Sequence, residues 1–65
     1  MTGIIKSYSA KNGYGFIVSD GKDYRFKTQS IEMRLPPTAG MLVSFIPFKS
    51  EKGYRAMNVR NINGV

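Results

Sequence analysis

Rings and cations interleave along the first half of this chain. Lys6, Tyr8, Lys11, Tyr14 and Phe16 follow one another closely, and Tyr24-Arg25-Phe26-Lys27 alternates ring with charge. Arg55 follows Tyr54 in the same manner near the other end. Aromatic rings spaced in this way can stack on flat π systems while ammonium and guanidinium groups follow phosphates, which is how single-stranded nucleic acid is held. Each stacked base contributes about 1 to 3 kcal/mol, and each phosphate contact adds a salt-dependent increment.

Most other chemistry lacks its reagents. The 65 residues include no cysteine and no histidine, which removes thiolate chemistry, most zinc sites and the usual proton shuttle. The four carboxylates, Asp20, Asp23, Glu32 and Glu51, fall in or beside turn signals, where Asp is favoured by local hydrogen bonding. Gly13-Tyr14-Gly15 starts like a dinucleotide fingerprint, but Val18 stands where the third glycine belongs and no helix pattern follows. Gly15 to Asp23 fails as a phosphate loop, since Asp23 replaces the magnesium-holding Ser or Thr. The expectation is a protein without cofactor, metal or catalysis. Ten Lys and Arg against four Asp and Glu give a net charge of +6, which favours a polyanionic partner.

The elements that must carry these side chains read as strands. Five runs, Thr2–Ser9, Tyr14–Ser19, Asp23–Thr28, Met41–Phe48 and Tyr54–Ile62, are separated by turn residues. Asp20-Gly21 is a strong hairpin dipeptide because both residues tolerate positive φ. Ser50 to Gly53 supplies a further hairpin loop. Only Gln29 to Gly40 is long and irregular, and Pro36-Pro37 allows at most one helical turn, around Ser30 to Met33. Short, evenly spaced strands predict a single all-β domain over residues 1–65, a small barrel or sandwich. Closure into a barrel removes the edges that invite aggregation. No apolar run approaches the roughly 18 residues of a membrane span. MTGIIKSYS lacks the pattern of a signal peptide, so the cytoplasm is the expected location.

Alternation assigns the faces. Arg25 and Lys27 need solvent, so Tyr24 and Phe26 should point inward, joined by Ile17, Val43 and Phe45. Tyr14 and Phe16 then lie outside beside the two cations, and Gly13 and Gly15 would keep that surface open to a flat base. Alternation alone leaves an alternative standing, in which Tyr14 and Phe16 are core residues.

The segments MTGIIK, NGYGFI, KDYRF, GMLVSF and KGYRAMNV occur in the order and approximate spacing of the bacterial cold-shock family, which the chain resembles from Met1 to about Ile62. NGYGFI is similar to the family's first ribonucleoprotein motif. The resemblance implies a five-stranded antiparallel Greek-key barrel of the OB type, whose sheet face stacks single-stranded RNA or DNA. It places Lys6, Tyr8, Tyr14 and Phe16 on the nucleic-acid face and gives Arg55 a polar contact. The departures are Ser7 in place of a stacking tryptophan, Asn12 in place of lysine with Lys11 beside it, and Arg25, Lys27 and Thr28 in place of Phe, His and Phe.

These observations together lead to the expectation of a low-specificity binder of single-stranded RNA or DNA that keeps strands open. Tyr8, Tyr14 and Phe16 would stack, and Lys6, Lys11, Arg25, Lys27 and Arg55 would supply charge. Losing rings and gaining fixed cations should shift binding toward phosphate, with guanidinium planes recovering part of the stacking. The competing expectation is a divergent barrel acting through protein contacts. Leu42, Ile46 and Phe48 support it as an apolar strip for self-association, unless a shifted register tucks one or two of them inside. Pro47 among them marks an edge or a bulge.

Overall fold

Alternating strands and tight turns produce a closed barrel, here described by a computed structural model over residues 1–62. The strands are β1 (Thr2–Ser9), β2 (Tyr14–Ser19), β3 (Lys22–Lys27), β4 (Leu42–Ser50) and β5 (Gly53–Asn61). Around the barrel they run β1-β2-β3-β5-β4, and β4 pairs with β1 to close the ring. This is a small OB-fold-like barrel. The one helical turn among the described residues is a 3-10 turn at Thr28–Ser30, which ends where the turn expected around Ser30 to Met33 would begin. Residues 63–65 of the expected domain lie outside the described residues.

The barrel is not wholly antiparallel. β3 and β5 pair in parallel, with Arg25 opposite Arg55, while every other strand pair is antiparallel. Direction must alternate around an antiparallel ring, and five strands cannot alternate and also close. One parallel seam is therefore geometrically required, and it falls where the long connection lets β5 return beside β3.

The expected core is present. Ile17, Tyr24, Phe26, Val43 and Phe45 are buried, and Ile5, Ala56 and Val59 complete the cluster. The β2–β3 hairpin turns through Asp20 and Gly21 at φ 52° and 74°, the doubly positive pair that a two-residue type I′ loop needs. Two bulges break the simple alternation. One lies between Ile5 and Ser7 and sends Lys6 and Ser7 both outward, so that Tyr8 turns inward. The other shifts the β4–β5 register between Ser44 and Ile46. It is accommodated by Asn58 at φ 52°, a left-handed position that Asn tolerates better than most residues.

The irregular connection is tied to β5 by backbone and side chain together. The Glu32 amide donates to the Val59 carbonyl at 2.7 Å. The Glu32 carboxylate accepts from Arg60 Nε at 2.9 Å and from the Asn58 side-chain amide. The Arg60 hydrogen bond first, and the Asn58 bond second, hold the Glu32 carboxyl below its ordinary 4.5. A depressed carboxylate stabilises the fold above its unfolded pKa, and that contribution is lost as pH falls through the folded value. Glu32→Gln is therefore expected to melt slightly below the parent at neutral pH. The gap should close as pH falls below the ordinary carboxylate range and through the lowered folded value, which paired thermal melts across pH would check.

Candidate nucleic-acid interface

The barrel register lays the outward side chains into rows. Residues directly opposite across a ladder share a face. Ser7 pairs with Phe16, Phe16 with Arg25, Arg25 with Arg55, and Arg55 with Phe48. One outer row thus crosses all five strands as Ser7–Phe16–Arg25–Arg55–Phe48. A second row beside it runs Ser9–Tyr14–Lys27. Tyr14 and Phe16 are half-buried and lie outside the core, so the alternative that places them inside is not what the fold adopts.

The two rings meet edge to face, with centroids 5.8 Å apart and planes at 87°. The Arg25 guanidinium carbon sits 4.3 Å from the Tyr14 centroid. In the free protein Arg25 therefore covers one face of Tyr14. It extends the platform as a planar cation, in the position where the cold-shock resemblance implies a third ring. Its Nε is buried without a hydrogen-bond partner.

Tyr8 is separate from this face. It pairs with Gly15, which faces inward, and its ring stacks on Phe26 at 5.8 Å and 7°. Its hydroxyl lies 3.2 Å from Thr28 Oγ1. Tyr8 thus closes one end of the barrel instead of joining Tyr14 and Phe16, because the bulge at Lys6 reverses the alternation. Lys6 is exposed and pairs with Asp23 at 3.1 Å, a surface contact weak enough for a phosphate to replace. Lys11 is exposed in the β1–β2 turn.

The glycines do not keep the outer face open, contrary to the expectation from sequence. Gly15 points inward, where a Cβ would lie 2.4 Å from the Ser7 carbonyl oxygen and 2.7 Å from Phe26 Cζ. Gly13 takes φ 79° in the turn, and its carbonyl accepts from the Thr28 amide at 3.0 Å. Both serve the backbone and the core, and they expose Tyr14 only by shaping the strand beneath it.

The tucked register for β4 is likewise not adopted. Leu42, Ile46 and Phe48 are 39%, 54% and 45% exposed. Beyond Phe45, β4 runs past β1 and pairs with β5 alone, so Pro47 occupies an edge where its missing N–H is tolerated.

Two features were not assigned from sequence. Phe48 belongs to the arginine row, which counting back from the Ser50–Gly53 pair would have revealed. An open concavity of about 450 Å³ lies there, lined by Arg25, Lys27, Phe48, Lys52 and Arg55 among others. Tyr54 leans on the buried Tyr24 at 5.5 Å, with Lys22 and Lys49 ammonium groups 5.3 and 5.9 Å from its ring. This repeats the ring-and-cation combination away from the main face. Among the described residues, no helix is long and apolar enough to cross a membrane.

No protein-family model matches the chain, and no curated protein matches it.

Proposed function

We propose that this protein binds single-stranded RNA or DNA with little base preference, in the manner of the cold-shock proteins its segments resemble, and acts without catalysis or cofactor. The outer row Ser7–Phe16–Arg25–Arg55–Phe48, with Tyr14–Lys27 alongside, is the observation that supports this most. It sets rings and fixed cations on one continuous surface. Tyr14 and Phe16 stack bases, Arg25 stacks and neutralises, and Lys6, Lys11, Lys27 and Arg55 follow the phosphates. Holding strands apart from their complements would keep transcripts accessible.

The test is a salt titration on oligothymidine and oligouridine, followed by quenching of tyrosine fluorescence. With five cations each meeting a phosphate, log K should fall against log salt with a slope of about −3.5. Oligomers of different base should differ little. A flat response with strong base selectivity overturns the reading.

A second reading, self-association through the outer side of β4, is supported by the exposure of Leu42, Ile46 and Phe48. Salt separates the two. Screening the net charge of +6 should strengthen contact between like-charged copies while weakening strand binding. Light scattering along the same titration reads the difference, and a monomer at every salt concentration removes this second reading.

A further inference from the structure

The parallel seam makes two arginines, Arg25 and Arg55, backbone partners across β3 and β5, and like charges so placed cost stability. Neither has an ion-pair partner among the described residues, where the salt bridges are Lys6–Asp23 and Arg60–Glu32. Each guanidinium is nevertheless held. Arg25 lies against the Tyr14 ring at 4.3 Å, and Arg55 donates through Nε to Ser50 Oγ at 3.3 Å. That bond engages Nε and not the terminal nitrogens of Arg55. The same hydroxyl accepts from the Lys52 amide at 3.2 Å, which fixes the turn bearing a third cation.

Arg25, Ser50, Lys52 and Arg55 line the concavity of about 450 Å³, together with Lys27. Its size falls within the range of small-ligand pockets. Phe48, 45% exposed, forms an apolar wall. Glu51 is the one carboxylate on the lining, against four cations. Such a site is over-charged for a phosphodiester, which carries one negative charge.

We propose that the β3–β5 seam is a clamp for the terminal phosphomonoester of a nucleotide, with the adjoining base or sugar resting on Phe48. This rests on the strand-binding reading and adds that a phosphorylated end is preferred over an internal linkage. A monoester carries nearly two charges at pH 7 and three acceptor oxygens, which match two planar forks better than a diester does. The same chemistry is offered by a free mononucleotide, and the experiment separates the two sources.

The full chain is titrated with thymidine tetranucleotide bearing or lacking a terminal phosphate, at the 5′ or the 3′ end, and with thymidine monophosphate. Binding is read by tyrosine fluorescence at low salt. A phosphorylated end should bind about tenfold tighter than the bare oligomer. Arg55→Gln and the turn variant Lys52→Gln should each pull that ratio toward one. Lys11→Gln, outside the clamp, should lower both affinities and leave the ratio standing. The ratio should also shrink between pH 7.5 and pH 5 as the monoester takes up its second proton near pH 6. The lining offers Arg25, Lys27, Lys52, Arg55 and Glu51, and the chain has no histidine to titrate in that window.

If thymidine monophosphate matches the phosphorylated tetramer, the clamp stands and its natural source is a free nucleotide. Much weaker monophosphate binding assigns the clamp to strand ends. Equal binding of phosphorylated and bare oligomers overturns the clamp and leaves strand binding intact. Absence of binding by every oligomer overturns both.

Discussion

Gly15→Ala is expected to remove most of the stability of this barrel. The added methyl would lie 2.4 Å from the Ser7 carbonyl oxygen and 2.7 Å from Phe26 Cζ. Neither neighbour can yield cheaply. The carbonyl belongs to the β1–β2 ladder, and Phe26 is 1% exposed at the centre of the core. Overpacking of a tight core costs about 1 to 3 kcal/mol, and contact with rigid backbone sets the expectation at the upper end, about 3 kcal/mol. A domain of this size holds only several kcal/mol in total, at roughly 0.05–0.15 kcal/mol per residue. Urea or thermal unfolding by circular dichroism should show a large loss or no folded state at all. Gly13→Ala is the informative contrast. It meets only Thr28 Oγ1 at 3.8 Å, so its cost is the left-handed φ, about 1 to 2 kcal/mol. A Gly15→Ala barrel that melts within a few degrees of the parent would show that β2 can move away from Phe26.

The contrast also explains what was legible in the sequence. Turn chemistry and alternation are local properties, and they located all five strands, the Asp20-Gly21 hairpin and the inward set Ile17, Tyr24, Phe26, Val43 and Phe45. One difference came from placing Tyr8 on the outer face by resemblance, without allowance for a bulge. The extra residue at Lys6 leaves no mark in composition, yet it decides that Tyr8 packs on Phe26 instead of beside Phe16. A second came from reading a glycine by its neighbours along the chain, when Gly15 is required by a ring across the ladder. The parallel seam was implied by the count of strands, because an odd ring cannot alternate. That count does not say which strands form the seam, so the pairing of Arg25 with Arg55 depended on the long-range strand order, while the hairpin register alone set Phe48 opposite Arg55.

Replacing both outer rings, Tyr14→Ala with Phe16→Ala, is expected to weaken binding to short single strands on the order of a hundredfold to a thousandfold at fixed salt. Stacking contributes about 1 to 3 kcal/mol per base, and two missing platforms add to somewhat less than the sum, because neighbouring sites couple. Arg25 limits the effect, since its guanidinium can still lie on a base once Tyr14 is gone. The diagnostic is the salt slope. Truncating rings leaves every cation beside its phosphate, so the slope should stay near that of the parent while the whole line drops. Arg25→Phe should do the reverse. It leaves one phosphate without its cation and so lowers the magnitude of the slope by about 0.7, with affinity at high salt preserved or raised by the new ring. Both substitutions lie on the outer face, away from the Ile17–Phe26–Val43 interior, so unfolding should not dominate either result, and melts of the two variants verify this. Phe16→Leu separates stacking from mere apolar contact, and it should fall nearer to the alanine variant than to the parent. If the double truncation binds within about threefold of the parent, the rings are not the platform. Charge alone then holds the strand, and duplex DNA should compete as well as single strands do.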